Sequence, residues 1–302
     1  MKSSVSRLRT DLAALLVTLV YFLAGPAAAD AIASHNVQSL ASETPCSNIC
    51  RALSRRLSQL ARAQQQGGDL VRAAFLLRKA LRVDPTNGLA YATRADLRSL
   101  RGDDLGAVGD ADYAVGLEPK RALIYYYRGV VLSRMNLWAS AAADFHIAAH
   151  LDPASVNAHY SLGWAMLAQG RHADAVVSLS RAIGHISMPA PAYFLRSHAY
   201  ALLGNIDAAI SDINAVIQSI PRYPEAHHRR AHLFMRKGYD AAALTDLAAA
   251  ILNDPEDLLA RTDLAYLCRL SGSRISQCQH VHMQTSPWAR AFDHAAHFDL
   301  AR

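Results

Sequence analysis

The feature that most constrains this chain is a spacing. Pro85, Pro119, Pro153, Pro221 and Pro255 stand 34, 34, 68 and 34 residues apart, and the vacant slot falls at Ser187, near Pro189. Twelve residues before every slot stands an alanine: Ala73, Ala107, Ala141, Ala175, Ala209 and Ala243. Five before stand Ala80, Ala114, Ala148, Ala182 and Ala250, with Val216 the one substitute. Seventeen before stand Gly68, Gly102, Gly170, Gly204 and Gly238, with Asn136 in the remaining place. Four columns in one register mark an internal repeat, and periods of about 20–50 residues belong to stacked architectures.

Each column has a physical job. Alanines let two helices approach closely, because interaxial distance depends on the side chains at the contact. Glycine ends the first helix by tolerating a left-handed backbone; asparagine is the next-best residue there, which suits Asn136. Proline cannot continue a helix interior, so it marks the turn into the next unit. Asp84, Asp152 and Asp254 each precede a proline and are placed to cap the following helix. Composition agrees: Ala, Leu and Arg dominate and all favour helix, whereas glycine and proline are sparse.

The columns resemble the tetratricopeptide repeat, a pair of antiparallel helices per 34 residues. The resemblance covers residues 54–272, about six and a half units, beginning near Ser54, Gly88, Ala122, Val156, Ala190, Pro224 and Leu258. Its small residue in the first helix is Ala61, Ala95, Gly129, Gly163, Ser197, Ala231 and Ala265. Its large apolar residue in the second helix is Leu77, Phe145, Leu179, Ile213 and Leu247. Ala111 departs from that pattern and predicts looser packing in the second unit. The seventh unit keeps Ala265 and Gly272 but has Gln277 in an alanine slot, as expected of a terminal cap. The implied fold is all-α, a right-handed superhelical solenoid of antiparallel helix pairs.

The N-terminus reads as an export signal. Lys2, Arg7 and Arg9 precede an apolar stretch from Leu12 to Ala24, Gly25-Pro26 breaks it, and Ala27-Ala28-Ala29 fits the small-x-small rule for cleavage before Asp30. Residues 1–29 are therefore expected to be a signal peptide, with 30–53 a linker leading into the first helix and 273–302 a closing segment. Uncleaved, the same stretch would be the one membrane contact. The chain is accordingly expected in the periplasm or outside the cell. Cleavage lowers the formal charge from +6 to +4, too modest and dispersed an excess to propose nucleic acid.

All four cysteines lie in the exported portion, in two local pairs, Cys46 with Cys50 and Cys268 with Cys278. An even count in an oxidising compartment reads as disulfides. Packed helices lie about 8–10 Å apart, so a long stack holds its two ends beyond disulfide reach and local pairing follows. The first pair is the less well aimed, since a four-residue helical spacing points two sulfurs poorly at each other.

Catalytic signatures are not found: there is no phosphate-binding glycine loop, nucleophile elbow, zinc-protease helix or dinucleotide fingerprint, and most acidic residues fall at turns or on expected solvent faces. No cofactor is expected. Histidine is the unusual element. His228 and His232 are four apart and share a helix face, and His198 matches His232 one period earlier. Three imidazoles are a possible zinc or copper site; the simpler reading makes them binding-face residues. A second histidine-rich run, Cys278, His280 and His282 with His294 and His297, competes with the disulfide for Cys278.

In the family that this chain resembles, the first helix of each pair lines the concave side, where stacked units build an extended binding surface. The resemblance assigns that groove to Ser58, Arg62, Ala92, Asp96, Tyr126, Val130, Tyr160, Trp164, Phe194, His198, His228, His232, Thr262 and Tyr266. Members that grip a peptide's C-terminus place Lys, Asn and Arg at such positions; here the middle is aromatic. The expected function is an exported, non-catalytic adaptor or assembly factor that binds a partner peptide or protein subunit. The alternative is a periplasmic metal- or small-ligand-binding protein using the histidines.

Overall fold

A computed structural model describes residues 48–185, 189–223 and 225–270. They form thirteen α-helices, and no strand occurs among the described residues. Two compact units divide the chain after Met135. The first holds α1 (Asn48–Gln66), α2 (Leu70–Val83), α3 (Gly88–Ser99), α4 (Asp104–Leu117) and α5 (Ala122–Arg134). The second holds α6 (Trp138–Leu151), α7 (Val156–Ala168), α8 (His172–Gly184), α9 (Ala190–Leu202), α10 (Ile206–Ser219), α11 (Ala226–Arg236), α12 (Asp240–Asn253) and α13 (Leu258–Leu270). Residues 1–47 and 271–302, with the expected leader, Cys46, Cys278 and the closing segment, lie outside the described residues. Among the described residues no helix is long and apolar enough to cross a membrane.

The glycine column does what its chemistry requires. Gly68, Gly102, Gly170, Gly204 and Gly238 all have φ between +72° and +84°, and Asn136 has φ of +59°. In this region an L side chain meets its own backbone, which is why only asparagine replaces glycine there. The aspartates before the prolines behave differently from the sequence expectation. Asp84 Oδ1 accepts from Thr86 N and Oγ1, and Asp254 Oδ1 accepts from Glu256 N, so these carboxylates brace the turn. The caps come three residues later, where Asn87, Ser155 and Asp257 accept from the N–H groups of Ala90, Ala158 and Ala260. A turn must intervene before the chain can re-enter a helix, so the residue beside the proline is too early to cap it.

In the first unit α1 packs on α2, α3 packs on α4, and α5 rests on both α3 and α4. Leu57, Ala61, Ala73, Leu77 and Ala80 are at most 1 % exposed and fill the first hairpin. Ala111, expected to leave its unit loosely packed, is fully buried with Ala95, Ala107 and Val131. In the second unit Leu179, Ile213 and Leu247 are fully buried along the second helices. Gly163 shows why the facing position must be small: a Cβ added there would lie 2.5 Å from Leu179 Cγ. That is well inside van der Waals contact, so α7 and α8 could not keep this separation.

A charged column runs beside the apolar ones. Arg94 donates from Nε and Nη2 to both carboxylate oxygens of Asp110 at 2.7 Å. Arg196 forms the same fork with Asp212 at 2.8 and 2.7 Å, and Arg230 with Asp246 at 2.7 Å. The third donor of each of the latter two reaches back to the preceding hairpin: Arg196 Nη1 bonds Ser180 Oγ, and Arg230 Nη1 bonds Asn214 Oδ1, both at 2.7–2.8 Å. One planar guanidinium thus ties three successive helices, a task that suits its rigid, multi-donor geometry. Asp110, Asp144, Asp212 and Asp246 are buried, which corrects the expectation that acidic residues keep to turns and solvent faces.

Candidate functional site

Within the second unit the first helices α7, α9, α11 and α13 bring a run of aromatic, cationic and imidazole side chains together. Phe194 on α9 is half-buried, its ring 5.2 Å from that of Tyr223 in the turn before α11. The Arg229 guanidinium lies 4.4 Å from the Phe194 ring centroid, within cation–π range. Arg229 Nη1 donates to His198 Nδ1 at 2.8 Å, while its Nε is buried with no hydrogen-bond partner. Burial lowers the Arg229 pKa, with Glu225 and Tyr223 opposing the shift. Burial, then the Arg229 charge and then His172, lowers His198, which keeps its imidazole neutral and fit to accept. Tyr160 on α7 is half-buried, and burial followed by the neighbouring Tyr223 raises its phenol. Trp164, one turn further along α7, is 49 % exposed, and Tyr266 on α13 is 45 % exposed.

Tyr126 and Val130, on α5 of the first unit, are half-buried; Tyr126 meets Tyr127 edge-to-face at 5.7 Å. Three other residues assigned to the groove are buried, among them Asp96, which accepts from Gln65 and Arg134. Ser58 is fully buried, donating to Ser54 O and accepting from Asn87 Nδ2, and Ala92 is fully buried in the core. Asn87 at the start of α3 covers Ser58, and Ala92 packs in the cluster with Ala114, Ile124 and Tyr127 of α4 and α5, so the correspondence with the other repeats fails there.

The histidine grouping changes as well. His198 faces Arg229 and is not joined to the other two. His228 Nε2 and His232 Nε2 lie 3.1 Å apart, and each approaches Asp263 Oδ2, at 2.7 and 2.8 Å respectively. Burial alone would raise the Asp263 carboxyl, but hydrogen bonds from His228 and His232 outweigh it and hold the group far below the ordinary carboxylate range. His228 Nδ1 points to Asp257 Oδ2 at 3.9 Å. Asp263, on the neighbouring first helix, was not singled out in the sequence. A separate open cleft of about 400 Å³ is lined by His146, His150, His159, His185 and Arg181, among others. The four-residue spacing of His146 and His150 was its only signal in the sequence.

Comparison with known proteins agrees with the helical-hairpin reading. Residues 190–223 match the tetratricopeptide repeat family. A 76-residue stretch is 36 % identical to the TPR repeat-containing thioredoxin TDX of Arabidopsis thaliana, covering 25 % of this chain and 20 % of that protein. The chain therefore spans about a fifth of the length of that curated relative. Among solved structures, YrrB, described as a TPR protein with an unusual peptide-binding site, superposes with a TM-score of 0.55 at 24 % identity over 62 % of this chain and 96 % of that one. PilW, described as a widely conserved type IV pilus biogenesis factor, gives 0.62 at 23 % identity over 70 % and 98 %. At these identities the likeness carries the fold.

Proposed function

We propose that this tetratricopeptide-repeat array is a protein-interaction scaffold, and that the first-helix face of its second unit holds an extended segment of a partner protein. The observation that carries the reading is Trp164, a large aromatic side chain left half in solvent on the face that also bears Tyr160, Phe194 and Arg229. Tryptophan and arginine are enriched among the residues that dominate binding energy at interfaces. The Arg229 charge faces an aromatic ring and a neutral imidazole, so an acidic group on the partner would complement it. The peptide-binding site described for YrrB is in keeping with such a role.

The setting we infer is the bacterial envelope, with residues 1–29 removed on export, as the basic start, apolar run and Ala-x-Ala site suggest. The pilus role described for PilW fits that setting. Cys268, buried at the end of α13, would then pair with Cys278 and staple the last unit. N-terminal sequencing of the mature chain should begin at Asp30.

The binding face is tested by placing a photo-crosslinking amino acid at position 164 of the full chain in cells. A discrete adduct with one envelope protein is expected, and a probe at Leu252, which is 83 % exposed on α12, should not give it. No adduct from position 164, or the same adduct from both positions, would defeat the assignment.

A further inference from the structure

We propose that His228, His232 and Asp263 form a three-ligand site for a divalent transition-metal ion of the zinc class, bridging α11 to α13. The proposal does not depend on the partner-binding role. It starts from a local rule: residues four apart lie on one helix face, so both imidazoles of α11 project together. Asp263, 35 residues after His228, brings a carboxylate to the same point from α13.

The ligand atoms form a compact triangle with sides of 2.7, 2.8 and 3.1 Å. Without metal, Nε2–H groups of the two imidazoles can donate to Asp263 Oδ2; with Nε2 deprotonated, all three atoms offer lone pairs that converge closely enough for one cation to share. Zinc binds imidazole nitrogen and carboxylate oxygen at about 2.0–2.2 Å, and an ion at that distance from all three atoms would sit about 1.2 Å out of their plane. Tetrahedral coordination places ligand atoms about 3.3 Å apart, so the site needs to open by only a few tenths of an ångström.

The surroundings favour a cation. Metal-bound histidines usually present their other ring nitrogen to a carboxylate or carbonyl, which fixes the tautomer. With Nε2 of His228 on the metal, its Nδ1–H faces Asp257. The nearby Arg229 charge is turned toward Phe194 and His198. That cation makes the His198 environment unsuitable for a second positive charge. His232 is half exposed, so one coordination position opens to solvent, available to water or to a donor from a bound partner.

Two imidazoles and one carboxylate suit zinc, copper or nickel better than calcium or magnesium, which prefer all-oxygen shells. The probe is therefore zinc chloride, titrated into the chelator-stripped full chain by calorimetry and checked by the metal content of the dialysed protein. His232→Ala and Asp263→Asn should each lose one equivalent of bound zinc. His198→Ala should lose none. Zinc should also raise the Tm of the native chain but not of His232→Ala, whose exposed position makes a folding defect small. Undiminished stoichiometry in either His232→Ala or Asp263→Asn overturns the site. A lost equivalent in His198→Ala overturns this ligand set in favour of a histidine-only arrangement.

Discussion

Arg196 and Asp212 stand sixteen residues apart and meet through two parallel hydrogen bonds, the guanidinium on α9 and the carboxylate on α10. Their side chains are only 17 % and 6 % exposed, so each group depends on the other for the solvation it gave up. One repeat earlier the equivalent positions hold Leu162 and Ser178, so both members of the pair are replaced together. This gives an internal control. Arg196→Leu should destabilise by about 3–5 kcal/mol, because Asp212 is left buried without its partner. The double variant Arg196→Leu/Asp212→Ser, which copies the pair at 162 and 178, should recover most of that loss. Urea unfolding of the three proteins measures it, and a double variant no better than the single would show that the loss comes from the Arg196–Ser180 bond and the packing of the arginine, not from an unpaired Asp212.

Gly163 faces Leu179 with no room for another carbon. Gly163→Ala should therefore lower stability by about 1–3 kcal/mol through forced displacement of α7 from α8, even though alanine is the better helix former. The same substitution at Gly109, where an added Cβ meets nothing within 4 Å, should be neutral or stabilising. Thermal denaturation separates the two, and equal effects would mean that helix propensity and not packing governs position 163.

The lowered pKa of His198 has a defined consequence for stability against pH. An unfolded imidazole titrates at ~6.5, so below that value the unfolded chain takes up a proton that the folded site resists. The stabilisation from a neutral His198 is complete above the unfolded pKa and is lost as pH falls through the lower folded value. His198→Gln retains an acceptor for Arg229 without titrating. The stability difference between native chain and variant should therefore shift against the native chain on acidification from neutral pH. A difference independent of pH across that window would show that neither burial nor Arg229 holds this histidine below its ordinary value.

Trp164→Ala tests the binding face in energetic terms. An aromatic anchor at an interface centre contributes about 2 kcal/mol or more, which corresponds to roughly thirty-fold in affinity. With the ring 49 % exposed, its removal should leave the Tm little changed. Phe194→Ala should lower both, since that ring also packs against Tyr223 and beneath Arg229. Affinity for the crosslinked partner, measured for both variants alongside their Tm values, distinguishes anchor from core.

The helices and their corners were legible because each depends on one residue's own chemistry. Gly102 needs a left-handed backbone wherever the chain turns this way, and Ala107 must be small wherever two helices touch. The Arg–Asp column keeps the same 34-residue register, with Arg94, Arg196 and Arg230 paired to Asp110, Asp212 and Asp246. It went unread because a charged residue on a helix is ordinarily solvent-facing, and only the partner's placement sixteen residues on reveals burial. The histidine site failed for a related reason. Periodicity aligned His198 with His232, but side chains on adjacent helices meet with an offset, so His198 meets Arg229 while Asp263 reaches His232 from the other side.

The replacement of the ion pair at Leu162 and Ser178 bears on motion as well as stability. In stacked hairpins each unit is held by its own interior and its immediate neighbours, so local opening begins where those terms are weakest. The α7–α8 hairpin has no guanidinium at its centre, and it is also the hairpin that carries Trp164. Amide protons in α7 should therefore exchange faster than those in α9 or α11, and a bound partner should slow them most. On the proposed binding face, freedom to adjust would then lie in the segment that meets the partner, and the clamped hairpins after it would serve as its mount.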